Sequence, residues 1–122
     1  VAFKGVVAHK DVPLYLCASD VYVLPTLAEG CSNSIVEAMA CGLPVISSDL
    51  PFNHDILDST NSILIMPRDI DGIAKAIKKL KDNPKLRKSM GMASLAKAQE
   101  LSFDKRANKI LNIIDDVVKD KK

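Results

Sequence analysis

The chain contains no tryptophan, and three phenylalanines and two tyrosines are its whole aromatic content. With a net charge of only +2, it offers no basic stripe interleaved with aromatics of the kind that neutralises and stacks on nucleic acid. The basic residues Lys119, Lys121 and Lys122 read as a solvated tail. No stretch approaches the roughly 18 apolar residues of a membrane span. The opening VAFKGVVAHKDV lacks the charged-then-apolar order of a signal peptide. Cysteine is scarce and odd in number: Cys17, Cys31 and Cys41 have neither C-x-x-C spacing nor a histidine cluster nearby. That argues against a metal site and for a reducing, cytoplasmic setting. No G-x-G-x-x-G follows a predicted strand and no Walker A pattern occurs, which disfavours a dinucleotide or P-loop site.

What remains is sufficient for a core. At 122 residues, 48% hydrophobic and 26% charged, the chain fits one globular domain rather than a disordered segment. It starts at Val1, directly in a strand-like run, so the expectation is a piece of a longer protein. Residues 1–7 read as a strand. Asp11 is placed to cap a short helix, VPLYLCA, with Pro13 tolerated in its first turn. VYVL, residues 21–24, is β-branched and aromatic and is closed by Pro25. A second helix is expected over residues 33–41, with Gly42 at its C′ position, then the strand PVISS. NSILIM, residues 61–66, is a further strand. Asp69 should cap a helix with Ile70, Ile73, Ala74, Ile77 and Leu80 inward, and Asn83-Pro84 opens another with Leu86, Met90 and Ala93 inward. Such alternation predicts an α/β fold, a parallel sheet with helices on both faces.

From Ser102 onward, Phe103, Ala107, Ile110, Leu111, Ile114, Val117 and Val118 form a continuous apolar stripe. Two readings stay open. The helix either packs on this domain's own sheet or crosses to another domain, leaving residues 103–118 free to self-associate. The lysines at 75, 78, 79 and 81 fall on an outer helix face, which is either simply solvated or drawn to a membrane surface.

The stretch EGCSNSIVEAMACGLPVI, residues 29–46, carries the chemistry. A polar loop between the carboxyl end of a strand and the amino end of a helix is where open α/β sheets bind ligands. The first helical turn presents unpaired N–H groups and roughly half a positive charge, which suits a phosphate. Gly30, Ser32 and Ser34 are small enough for close approach, and Asn33 can cap the helix and donate to a ligand oxygen. Glu29 flanks the ligand from the loop. Glu37, one turn into the helix, can accept from vicinal hydroxyls such as those of a ribose. A plainer account has Glu37 stabilising the helix and Glu29 solvated.

This stretch resembles the E-x7-E signature of the family 4 retaining glycosyltransferases (glycosyl transferases group 1) of the GT-B fold, in the form EG-x-x-N-x-x-x-EAMA-x-G-x-PVI. FKGVV, ASDVYVLPT and NSILIMPRDIDGIAKAI agree with the same family, so the likeness covers residues 1–115. It implies a Rossmann-like, partial C-terminal GT-B lobe over residues 1–101, with residues 102–122 a helix packing toward the missing N-terminal lobe. It implies Glu29 as the catalytic-site carboxylate touching donor-sugar hydroxyls and Glu37 as the ribose holder. The backbone amides of residues 31–34, Cys31 through Ser34, would face the diphosphate or the sugar. Transfer from a UDP- or GDP-sugar to an acceptor hydroxyl, in surface polysaccharide or glycoconjugate synthesis, is the implied reaction. No metal or other cofactor is implied. The family's diphosphate-binding Arg and Lys would precede Val1, so the chain alone is expected to be inactive.

The sequence also departs from the family. Cys31-Ser32 replaces an aromatic-glycine pair, and DLPFNHDILD replaces a glycine-containing loop ending in P-E, leaving Asp55 as the candidate for that glutamate. His54, like His9, either lines a base pocket or is an exposed loop histidine. A Cys31–His54 nucleophile pair lacks an orienting third residue. The alternative from another class is a non-catalytic α/β interaction or regulatory module that keeps the fold.

Overall fold

The computed structural model describes residues 1–28 and 32–121. Its centre is PVISS. Gly42 and Pro44 end the preceding helix, and four residues with small or β-branched side chains then form β2, Val45–Ser48, buried along its whole length. β1, Tyr22–Leu24, and β3, Ser62–Ile65, flank it in the order β1-β2-β3. Both pairings are parallel, with Tyr22 opposite Val45 and Val45 opposite Ser62. A strand covered on both faces has no polar alternation, and this one needs none.

Helices close the two faces. Tyr22, Leu24, Val45 and Leu64 meet Ile35 and Met39 of α2, Asn33–Ala40, on one side. Val21, Ile46, Ile63 and Ile65 meet Ala76 and Leu80 of α3, Ile70–Asp82, on the other. The longer α4, Pro84–Glu100, reaches both clusters, with Met90 in the second and Ala98 in the first. α1, Val12–Cys17, packs on α2 through Leu16, Ala38 and Leu43. The expected fold class is therefore found: a Rossmann-like α/β lobe.

Short-range signals position these elements. Gly42 sits at φ 73°, donating to the Met39 carbonyl at 2.9 Å while Leu43 donates to that of Ala38 at 3.2 Å. This is the paired closure that a left-handed residue after a helix permits. Asp69 accepts from the Gly72 amide at 2.8 Å and Asn83 from the Leu86 amide at 3.0 Å, so both expected caps are present. Gly91 of α4 lies directly on the carbonyl of Gly42, and this close approach requires that it have no Cβ.

Other expectations are corrected. Residues 1–7 form no strand; they pair with nothing among the described residues and all but Val7 are exposed. A strand exists only through its neighbour's hydrogen bonds, and none is at hand. Asp11 does not cap α1 with its side chain; it ends a 3-10 turn, His9–Asp11, that runs straight into the helix. Asn33 is the first residue of α2 rather than its cap, which is Ser32. In α3, Ala76 and Leu80 are buried and Ile73 is half-buried, whereas Ile70, Ala74 and Ile77 are exposed. The described sheet is only three strands wide, narrower than the apolar stripe laid over it.

α5, Phe103–Asp120, buries none of its residues. Ser102 caps it through the Lys105 amide, and Lys105 reaches Glu100 at 3.1 Å. The reading in which it packs on this domain's own sheet is thus overturned. No helix among the described residues is long and apolar enough to cross a membrane. Lys75, Lys78, Lys79 and Lys81 are exposed as expected, with Lys78 held to Asp82 at 2.8 Å.

Candidate functional site

The carboxyl edge of the sheet is laced by polar side chains that hold the end of β1. Ser47, fully buried on β2, donates to the Leu24 carbonyl at 2.7 Å. Asn53, in the turn Pro51–Asn53, donates to Ser47 Oγ at 3.1 Å and to the Ser48 carbonyl at 2.7 Å. A buried amide with two such bonds fixes the backbone on either side of it. At the same edge Thr26 Oγ1 and Ser48 Oγ are buried without a hydrogen-bond partner among the described residues. Unsatisfied buried hydroxyls of this kind are uncommon and concentrate at functional sites.

From this edge the chain enters α2. Ser32 accepts from the Ile35 amide at 3.4 Å and lies 3.0 Å from Ser34 Oγ. The hydroxyl of the capping residue thus faces the first turn together with that of Ser34. Asn33, Val36 and Glu37 line a groove of about 310 Å³ together with His9, Leu101, Phe103 and Arg106. Glu37 Oε1 lies 3.4 Å from His9 Nε2, with 42% of the Glu37 side chain exposed. Its carboxylate is therefore reachable from solvent and flanked by one ring N, and Arg106 lines the same groove.

Of the sequence-predicted site residues, Ser32, Asn33, Ser34 and Glu37 are brought together on this first turn and its groove. Glu29, Gly30 and Cys31 lie outside the described residues. His54 is placed elsewhere: its Nε2 pairs with Asp49 at 2.7 Å, and its side chain is 52% exposed. Asp55 is exposed in the same turn. His9, left open between two readings, sits in the groove against Glu37. Sequence reasoning missed Phe103 and Arg106, which reach the site from an element far along the chain, and the Ser47–Asn53 bracket. The two serines inside a strand otherwise apolar were a signal, because a buried hydroxyl calls for a partner: Ser47 finds two, and Ser48 Oγ has none among the described residues.

A second cavity of about 350 Å³, lined by Ser59, Ser62, Ile63, Leu64, Lys79, Leu86 and Met90, opens at the amino end of β3. Open parallel sheets bind at the opposite edge, and no carboxylate lines it. The groove at the carboxyl edge is the candidate site.

A Rossmann-like parallel sheet with a groove at its carboxyl edge agrees with a GT-B lobe, and likeness to known proteins selects that class from the folds that share the sheet. The chain belongs to the glycosyl transferases group 1 family, whose model matches residues 1–83. It is 33% identical over 114 residues to an Escherichia coli UDP-Gal:alpha-D-GlcNAc-diphosphoundecaprenol alpha-1,3-galactosyltransferase, covering 93% of this chain and 30% of that protein. To the O-antigen chain mannosyltransferase B of Escherichia coli it is 26% identical over 112 residues, covering 92% of this chain and 29% of that protein. Among solved structures, the sucrose-phosphate synthase of Thermosynechococcus elongatus superposes with a TM-score of 0.84 at 26% identity, over 97% of this chain and 30% of that one. The chain thus spans about a third of the length of the relatives it matches.

Proposed function

We propose that this chain is the donor-binding lobe of a retaining glycosyltransferase, taking a nucleotide diphosphate sugar and passing the sugar to an acceptor hydroxyl in polysaccharide or glycoconjugate synthesis. The observation that supports the reading best is the first turn of α2: a serine-capped helix start and, one turn on, a solvent-reachable carboxylate facing a groove of about 310 Å³. The diphosphate binds at the turn, where free N–H groups and the positive end of the helix stabilise it and the negative charge that grows as the glycosidic bond breaks. Glu37 accepts from the two ribose hydroxyls. Glu29, by the family resemblance, holds the donor sugar. Arg106 lines the same groove, and its charge also favours the diphosphate.

Acceptor binding is the work of a second lobe, and α5 with its exposed apolar stripe is the element that meets it. The chain alone accordingly binds donor without transferring sugar. An amide NMR titration with UDP, GDP and ADP tests this, with Glu37→Ala as control. Affinity on the order of millimolar, about 4 kcal/mol, gives shifts confined to residues 32–37, larger for one base and lost in the control. No shifts at high nucleotide would refute donor binding and favour the non-catalytic module.

A further inference from the structure

α1 and α2 end side by side. Cys17 is the last residue of α1 and Cys41 caps the end of α2, and their sulfurs lie 3.6 Å apart. Beneath them Leu16, Ala38 and Leu43 are packed together with Val12 and Tyr22, so the two helix ends are held in register by buried contacts rather than by the thiols themselves. Bringing the sulfurs to a bonding distance of about 2.05 Å requires only about 1.5 Å of further approach, within reach of side-chain rotation. Cys17 is exposed and Cys41 partly so, so a small oxidant has access.

We propose that Cys17 and Cys41 form a redox modification site, a dithiol that closes to an intramolecular disulfide stapling α1 to α2. The oxidant class is a low-molecular-weight disulfide. The Cys17 thiol loses its proton, and its thiolate attacks one sulfur of that disulfide, forming a mixed disulfide and expelling one small thiolate. Cys41 then loses its proton and attacks the Cys17 sulfur, expelling the second. Two protein S–H bonds and one small S–S bond are consumed; one protein S–S bond and two small thiols result, the two protons ending on the two leaving thiolates.

The environments assign the order of attack. Burial, the hydrogen bond with Cys17, and the nearby charges of Cys17 and Glu37 push the Cys41 thiol above its ordinary range, so it stays protonated longer and acts second. The closed loop runs from residue 17 to residue 41 and contains β1, the whole β1–α2 connection and α2. His9 precedes α1 and Glu37 lies on α2, so the staple joins the same two segments that meet at the groove. Disulfide formation itself does not depend on the groove binding a donor.

The test incubates the reduced 122-residue chain with 2-hydroxyethyl disulfide and its thiol at fixed ratios, folded and in concentrated urea, followed by peptide mapping without reduction and a thermal melt. In the folded chain the expected product is a Cys17–Cys41 cross-linked peptide in clear excess over either pairing with Cys31. In urea the three possible pairings become comparable. The oxidised form should melt higher by on the order of 10 °C. Cys41→Ser should leave Cys17 carrying the small thiol as a stable adduct. The same partition of pairings with and without urea, a Cys17 adduct that persists in the parent chain, or an unchanged melting temperature would overturn the proposal.

Discussion

Gly91→Ala puts the packing of the site's supporting helices to a test in which two effects of known sign oppose each other. In an exposed helix, replacing glycine by alanine stabilises by about 1 kcal/mol. At this position a Cβ would come closer than 3.0 Å to the Gly42 carbonyl oxygen and within 3.3 Å of the carbonyl carbon. The obstacle is backbone, and it cannot swing aside. Gly42 is held at φ 73° by the turn that closes α2, with Pro44 and the buried β2 immediately after it. Inserting a methyl group into such a contact costs about 3 kcal/mol at the upper end of overpacking effects, leaving a net loss of about 2 kcal/mol after the gain in helix propensity. For a chain of this size that lowers the melting temperature by roughly 8 °C. Since α4 can relieve the clash only by moving off α2, the groove beside Glu37 should be disturbed as well. Urea and thermal unfolding measure the loss, with Ser89→Ala, at an exposed position of the same helix, as a control expected to be neutral or slightly stabilising. A Gly91→Ala chain as stable as the parent, or more stable, would refute the α2–α4 contact.

Two further outcomes are expected. Asn53→Ala removes the donors to Ser47 Oγ and the Ser48 carbonyl, the carbonyl keeping only the Leu50 amide at 3.0 Å, so the urea midpoint should fall by an amount equivalent to about 2 kcal/mol, two buried hydrogen bonds, at an unchanged slope. Asp58 has its carboxyl lowered below the ordinary range, chiefly by the hydrogen bond from the Thr60 hydroxyl and then that from the Thr60 amide. A lowered folded-state pKa contributes stability that is present above the unfolded value, about 3.9, and is lost as pH falls through the folded one. Asp58→Asn should therefore flatten the acid limb of a stability–pH profile below about pH 4 and change its slope little near neutrality; an unaltered acid limb would show that another carboxylate governs it.

The expectations that held and those that failed divide by how far their cause reaches. Asp69 and Asn83 cap their helices, and Gly42 closes α2 through a left-handed turn, because each needs only partners within a few residues of itself. The same locality made residues 32–37 legible as a candidate site: the strand end, the small residues and Glu37 lie in one short stretch. His9 was left open between two readings and Arg106 was not legible, since nothing near them in sequence announces the groove to which the turn before α1 and the helix α5 bring them. Asn53 was hidden for the same reason, its partners being on β2.

The failures concern elements whose expected partners are not among the described residues. Residues 1–7 have a strand's composition but no neighbouring strand to bond, and β1 keeps one edge unpaired with Val23 38% exposed. Ile70 and Ile77 extend the apolar stripe of α3 beyond the three strands it covers. α5 carries a stripe of aliphatic side chains, each about half exposed, and buries none of its residues. Composition records what an element is adapted to touch, whether or not that surface is at hand. One reading covers all three departures: the apolar patterning of residues 1–7, α3 and α5 fits the wider sheet and second lobe that the proposed function calls for. The caps, the closing glycine and the candidate groove need neither, and they are formed.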